Sequence, residues 1–424
     1  MGSGRRAAMY GKKVLMIENR RIGGTCVNVG CVPKKVMYNL ANFIEESHLF
    51  KDYGVEGTEQ LKLNFADFKA QRDAYVTRLN GIYSKNLENS KVDYVPGTAK
   101  FVSDKIVDVE GKLFTAEHIL IASGSTPEPG KPKDGSDLCI NSDHFFEMSE
   151  LPKSMICIGG GYIGVEMAQI MAALGVKVTL VTRGVILKHI DRDIIQELMN
   201  NMKKLGVEII LNAPHKRIHK EPNGTLTLSL DVAEGKDKVN ADKILLAVGR
   251  PPNVDSLCLD KTQIKHQKGF ITVDEFQNTT VKGVYAIGDV TNNGWALTPV
   301  AIRSGRILAE RIFNNKPNLK MLYENIPTVI FSHPPIGTVG LSEEEAKKKF
   351  GETNVVAYRS SFVNMFYSPA KDPNLKLSSL FKVICLKKGE GPANEKVVGC
   401  VGIGKGMDEM LQGLSIALTM GASK

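Results

Sequence analysis

Short apolar runs alternate along the chain with stretches of helical pattern. Val14-Leu15-Met16-Ile17 is a β run preceded by Lys12-Lys13 and closed by Glu18. Ile119-Leu120-Ile121, Met155-Ile156-Cys157-Ile158, Val176 to Thr182, Ile244 to Val248 and Val284-Tyr285-Ala286-Ile287 have the length and β-branched content of buried strands. Between them the pattern predicts helices over 5–10, from 36, over 64–90, over 165–174 and from 297. Near the end a charged helix follows Ser342, whose partner Glu345 completes a capping box, and the last helix runs over 408–420.

Punctuation divides this series. Pro127, Pro129, Gly130 and Pro132 mark a linker. Pro327, His333-Pro334-Pro335 and Gly337-Thr-Val-Gly340 break the region from 323 into short strands, and His333 reads as an ordinary loop histidine. Asn292-Asn293-Gly294-Trp295 reads as a turn without functional content.

At 424 residues the chain is long enough for two to four domains. A composition 42% hydrophobic and 24% charged is that of a water-soluble globular protein, and no apolar run approaches the ~18 residues of a membrane span. The net charge of +9 is spread along the chain without nucleic-acid-binding spacings. Such a field attracts polyanionic small molecules, a phosphorylated dinucleotide or an acidic peptide. Seven cysteines, mostly isolated, argue for a reducing compartment. The basic stretch Gly2 to Ala8 reads as part of a helix and not as a transit peptide.

Candidate chemistry concentrates at 23–35, Gly-Gly-Thr-Cys-Val-Asn-Val-Gly-Cys-Val-Pro-Lys-Lys. Four residues separate Cys26 from Cys31, so on a helix or a tight turn entering one the two sulfurs can meet. Gly23, Gly24 and Gly30 permit sharp bends and close approach to a flat ligand. A cysteine at a helix N-terminus gains thiolate stabilisation, and Lys34, one turn on, would add to it. A zinc half-site and two unrelated core thiols are the alternatives. Zinc needs a second pair of ligands at short spacing, whereas Cys139, Cys157, Cys258, Cys385 and Cys400 are scattered singly.

A second unit lies at 155–183. Gly159-Gly-Gly161-Tyr-Ile-Gly164 is a Gly-x-Gly-x-x-Gly turn set between a strand and a helix, the context in which that motif binds a dinucleotide. The strand after the helix runs into Arg183, where an NAD site would place an acid. A cation there, with Lys188 as a second contact, suits a ribose 2′-phosphate and favours NADPH. Glu18 closes its strand as a ribose-binding acid would, although alone an exposed strand-end glutamate is the plainer reading. The strand ending at Gly124 lets backbone pass close to a nucleotide.

The thirteen residues at 23–35 resemble the redox motif of the FAD-dependent disulfide reductases, and within them the glutathione reductases. The resemblance runs from about residue 5 to 424. It implies an α/β fold with two Rossmann-like nucleotide-binding domains and an α+β dimer-interface domain. The expected divisions are FAD-binding at 1–125, NADPH-binding at 126–252, a central domain completing the FAD site at 253–322 and dimerisation at 323–424. By resemblance Cys26 and Cys31 form the redox disulfide, with Cys31 nearer the flavin, and Glu166 pairs with Lys34. Glu18, Gly24, Thr25, Gly124, Asp289, Leu297 and Thr298 would hold FAD. Gly159, Gly161, Ile163, Gly164, Glu166, Arg183, Lys188 and Gly249 would hold NADPH, with Tyr162 over the nicotinamide. Tyr75, Tyr83 and Arg306 would contact oxidised glutathione, and Arg72-Asp73-Ala74-Tyr75 resembles the glutathione-reducing members.

The implied protein is a homodimer that binds neither metal, nucleic acid nor membrane. It is expected in the cytoplasm, with a mitochondrial form left open. Two departures from the family are visible. The first strand with its Gly-x-Gly-x-x-Gly turn does not precede Glu18, and the His-Pro-Thr segment does not follow the last helix. The 424 residues are therefore expected to be an incomplete record of a full reductase. A thioredoxin- or trypanothione-type reductase and a catalytically silent NADPH-binding paralogue are the alternatives.

Overall fold

The computed structural model describes residues 1–232, 234–387 and 395–424. In chain order the first elements are α1 (Gly2–Met9), β1 (Val14–Glu18), α2 (Gly24–Val29), α3 (Cys31–Ser47) and α4 (Phe65–Asn89). Five strands follow: β2 (Val92–Pro96), β3 (Ala99–Ser103), β4 (Ile106–Val109), β5 (Lys112–Thr115) and β6 (Ile119–Ile121). After α5 (Ser142–Glu147) come β7 (Ser154–Ile158), α6 (Tyr162–Ala173), β8 (Lys177–Val181), α7 (Arg192–Lys204) and β9 (Glu208–Ile210). Then run β10 (His215–Lys220), β11 (Leu226–Leu230), β12 (Lys238–Ala241), β13 (Lys243–Leu246), β14 (His266–Gln267), β15 (Phe270–Ile271) and β16 (Val284–Ala286). The chain closes with α8 (Thr298–Phe313), β17 (Thr328–Ile330), β18 (Ile336–Gly340), α9 (Glu343–Phe350), β19 (Val355–Val363), β20 (Ser378–Lys387), β21 (Glu395–Ile403) and α10 (Met407–Thr419).

These elements form two units. The first comprises 1–33, 70–127 and 250–323. Its parallel pairs are β1–β2 and β6–β16, accompanied by the antiparallel sheet β3-β4-β5. Their apolar faces share one core around Phe101, Val107, Ile121, Ile271 and Val284. Helix α1 packs on α8, where a Cβ at Gly305 would meet Ile287 and Ser3.

The second unit comprises 34–69, 128–249 and 324–424. It contains the parallel sheet β13-β7-β8-β9, the antiparallel sheet β10-β11-β12 and the five-stranded antiparallel sheet β17-β18-β21-β20-β19. The almost wholly buried runs of β7 and β8 explain their near-continuous apolar sequence, as a parallel sheet covered on both faces requires. Lys382 on β20 is buried among Asp191, Asp193 and Glu343 at 2.8, 3.0 and 2.6 Å, which ties the starts of α7 and α9 to the sheet. The capping box of Ser342 and Glu345 forms as its sequence signature requires.

Several elements differ in extent from the pattern. Helix α3 begins at Cys31, because Pro33 sits in its first turn, where a missing N–H costs nothing. The apolar run from Val284 to Ile287 is shorter as a strand than it reads: β16 stops at Ala286, and Asp289 lies in a 3₁₀ turn, Gly288–Val290.

Candidate active site

The first unit places the two early cysteines together. Gly23 and Gly24 take left-handed φ values of 106° and 62°, which turns the chain abruptly into α2. A Cβ on Gly23 would stand 2.7 Å from that of Val27. Cys26 rides on α2 and Cys31 opens α3. Both are in the reduced, thiol form. Hydrogen bonding with Cys31, followed by burial, holds the Cys26 thiol well above its ordinary range. Cys31 Sγ also lies 3.8 Å from Thr298 Oγ1 at the head of α8.

The other first-unit candidates have these surroundings. Asp289 accepts a hydrogen bond at 2.9 Å from the hydroxyl of Ser125, which is itself contacted by Arg250 Nε at 3.1 Å. Glu18 ends β1 and its Oε1 accepts from the Arg20 N–H at 3.0 Å. Gly24 and Gly124 are left-handed, and a Cβ on either would meet open space. Leu297 is the residue before α8. Thr25 is exposed. Tyr75 is exposed on α4 with Arg78 5.1 Å from its ring centre, Tyr83 is half-buried, and Arg306 is exposed on α8.

In the second unit Lys34 and Glu166 form a buried ion pair at 3.1 Å, their side chains 11% and 5% exposed. The same Glu166 oxygen accepts the Phe331 N–H at 2.8 Å, and the Lys34 ammonium stands 3.8 Å from the Phe331 ring centre. Pattern alone makes Glu166 a solvated helix residue; Phe331 carries no sequence signal.

The glycine turn joins β7 to α6, and its glycines differ in what they permit. Gly159 has φ 130°, and Gly164 is so close to the turn that a Cβ would collide with the Gly159 carbonyl. Gly161 has open space where its Cβ would be, at the N-cap of α6. The Leu187 N–H donates to the Gly160 carbonyl at 2.8 Å, fastening the loop that carries exposed Arg183 and Lys188. Arg192 caps that loop by donating to the carbonyls of Ile186 and Ile190 at 3.1 and 3.0 Å. Tyr162 and Gly249 are exposed and Ile163 is half-buried.

His333 departs from its reading as an ordinary loop residue. It is buried, with Nδ1 2.7 Å from Glu45 Oε2, and lines a cavity of about 360 Å³ with Tyr38, Glu45, Tyr367 and Lys405. The turn-forming proline pair hides this burial from the sequence. Among the described residues no group of three His, Cys, Asp or Glu is placed to hold a metal ion, and no helix is long and apolar enough to cross a membrane.

A glycine turn at a helix N-cap and a dithiol in a glycine-bent loop together define a class of nicotinamide-linked disulfide chemistry. The sequence matches the model of the pyridine nucleotide-disulphide oxidoreductases over residues 1–305 and that of their dimerisation domain over 326–424. The chain belongs to the pyridine nucleotide-disulphide oxidoreductase family. It is 38% identical over 442 residues to the glutathione reductase of Yarrowia lipolytica (strain CLIB 122 / E 150), covering 100% of this chain and 92% of that relative. Its fold is therefore the α/β arrangement of two nucleotide-binding regions followed by a dimer-interface region, and its family implies FAD and NADPH as cofactors.

Proposed function

We propose that this chain is an NADPH-dependent glutathione-disulfide reductase that works as a homodimer in a reducing, cytoplasmic compartment. The observation that carries the reading is the thiol pair: Cys26 and Cys31 interact directly, inside a loop bent by two left-handed glycines. The full-length likeness to a glutathione reductase supports the choice of substrate, and the match to a dimerisation domain supports the assembly.

Both nucleotides have matching features on the protein. The open face of Gly161 at the α6 N-cap suits a phosphate, since unpaired helix N–H groups favour an anion. Gly159, Gly164, Ile163, Gly249 and Tyr162 would surround NADPH, with Arg183 and Lys188 on its 2′-phosphate. The open, left-handed Gly24 and Gly124 and the carboxylate of Asp289, fixed by Ser125, suit FAD, with Glu18, Thr25, Leu297 and Thr298 completing the set. When bound, FAD supplies the two-electron link between a nicotinamide hydride and a disulfide.

The chain's own residues do the thiol chemistry. Cys26, once ionised, attacks one sulfur of oxidised glutathione; the substrate S–S bond breaks and one glutathione thiolate leaves. Cys31 then attacks the Cys26 sulfur, forming the Cys26–Cys31 bond and expelling the second glutathione. Thr298, beside Cys31 Sγ, is placed to donate a hydrogen bond to a thiolate there. Tyr75, Tyr83 and Arg306 would receive the peptide, the arginine pairing with a carboxylate. Lys34 and Glu166 act as a fixed buried charge pair.

The test is NADPH oxidation by the FAD-loaded chain, with oxidised glutathione and oxidised thioredoxin supplied separately at equal enzyme. Turnover with glutathione disulfide at a kcat/KM at least about ten times that with thioredoxin is expected; the reverse preference overturns the substrate.

A further inference from the structure

The turn carrying Cys26 has little to hold it on its own. Helix α2 has only six residues, its N-cap is Gly23, and no side chain caps it. An isolated helix so short is unstable in water. Asn28, between the two cysteines, compensates from within. Its Nδ2 donates to the carbonyls of Gly24, Arg21 and Ile22 at 2.9, 3.2 and 3.3 Å, stitching the last turn of α2 to the bend before it.

Asn80 completes the stitch from outside. It projects from α4, and its Nδ2 donates to the Ile22 carbonyl at 2.7 Å and to Asn28 Oδ1 at 2.9 Å. With its Oδ1 engaged, the Asn28 amide is held in the one orientation that presents its NH₂ to the three carbonyls. Asn80 lies five residues beyond Tyr75 and three before Tyr83, so the helix bearing both tyrosines also grips the dithiol loop.

We propose that Asn80 is a positioning residue for the thiol pair: acting through Asn28, it fixes the α2 turn in the shape that brings the sulfurs of Cys26 and Cys31 together. The proposal rests on the reading of these cysteines as the redox pair. Holding two reacting groups in place raises the effective concentration of one at the other. The lock therefore favours the intramolecular disulfide over the open dithiol.

The test is the equilibrium of the FAD-loaded full chain with mixtures of oxidised and reduced dithiothreitol, without NADPH, read by alkylation and mass spectrometry. In the reaction followed, both thiols lose a proton and an electron as the Cys26–Cys31 bond forms. The cyclic disulfide of oxidised dithiothreitol is reduced to two thiols. Asn80→Ala is expected to lower the equilibrium constant for the protein disulfide about tenfold, which corresponds to about 30 mV. Asn80→Asp, of the same size, removes the NH₂ donor and is expected to shift it at least as far.

Asn28→Ala is expected to shift the constant by a similar factor, and the double variant by clearly less than the sum of the two, since without Asn28 the Asn80 amide keeps its bond to the Ile22 carbonyl. Asn89→Ala, exposed near the end of α4, is expected to leave it unchanged and controls for general loosening of the helix. An unchanged constant in Asn80→Asp, or additive shifts in the double variant, overturns the inference. A wild-type chain that never forms the Cys26–Cys31 bond overturns both inference and function. A chain that shows the shifts but does not turn over glutathione disulfide overturns the substrate alone.

Discussion

The Lys34 ammonium is 3.1 Å from a Glu166 carboxylate oxygen that simultaneously accepts the Phe331 amide at 2.8 Å. Both charges are withdrawn from water, so each depends on the other. Removing one partner leaves an uncompensated buried charge, which typically costs about 3–5 kcal/mol. Lys34→Met is expected to destabilise the chain by that order, because Glu166 then faces the neutral Phe331 N–H without its cation. Glu166→Gln should cost less, since the amide oxygen can still accept from Phe331. Combining the two should recover much of the loss. Urea unfolding of the three variants checks this; a double variant as unstable as the sum of the singles would show that the charges do not depend on one another.

Two glycines three residues apart in the turn after β7 are expected to respond in opposite ways. At Gly164 a methyl would collide with the Gly159 carbonyl, so Gly164→Ala must push α6 away from β7. Overpacking of this kind costs about 1–3 kcal/mol. At Gly161 a methyl meets no protein atom within 4 Å. Gly161→Ala should therefore leave the melting temperature nearly unchanged while filling the space in which the phosphates are proposed to sit. Calorimetric titration with NADP⁺ should show a Kd at least about tenfold weaker for Gly161→Ala. Unimpaired binding would remove the dinucleotide from this turn.

The strand–turn–helix–strand unit at 155–183 was legible because its signal is local: an apolar run, three spaced glycines and a second apolar run describe one continuous stretch of backbone. The dithiol was legible for the same reason. What escaped the sequence depends on residues far apart in it. His333 reads as a loop residue because a proline pair follows it, yet Glu45 partners it in a buried site. Lys382 carries no signal in the sequence, but three carboxylates from 191, 193 and 343 converge on it. Burial pulls its pKa downward, while hydrogen bonds to Asp191, Glu343 and Asp193 outweigh that and raise it. Thr298 beside Cys31 and Asn80 over Asn28 are likewise contacts between segments, which pattern cannot register.

Buried thiols outside the redox pair give the fold an alkaline limit. Burial pushes Cys157 up to about 12, and burial, then the neighbouring Cys385, pushes Cys400 up to about 11. Unfolded, each ionises at about 8.5. The folded pKa is thus the higher one, so the stabilisation is complete below about pH 8.5 and is lost as pH rises toward 11 and 12. Through that window each such thiol contributes a fall of roughly 1.4 kcal/mol per pH unit. Urea unfolding at about pH 8 to 10.5 should show the decline, and Cys157→Ala should flatten it by about that slope. Identical slopes in wild type and variant would mean that Cys157 ionises as freely folded as unfolded.

The reactivity of Cys26 should depend on its neighbour more than on its exposure. Hydrogen bonding with Cys31 is the leading cause of its raised pKa, burial the second, and contact with Thr298 acts in the opposite direction. Only the thiolate is alkylated, and a thiol still mostly protonated gains about tenfold in thiolate when its pKa falls by one. Cys31→Ala removes the leading cause, so Cys26 in the reduced variant should react with iodoacetamide at about pH 8 at least about tenfold faster than in the reduced wild type. Thr298→Val removes an opposing contact and should slow the same reaction. The two substitutions thus move one rate in opposite directions, which a general loosening of the loop could not do, since that would accelerate both. Timed alkylation followed by peptide mapping measures the rate at Cys26 itself. Acceleration in both variants would place the cause in access to the sulfur and not in its ionisation.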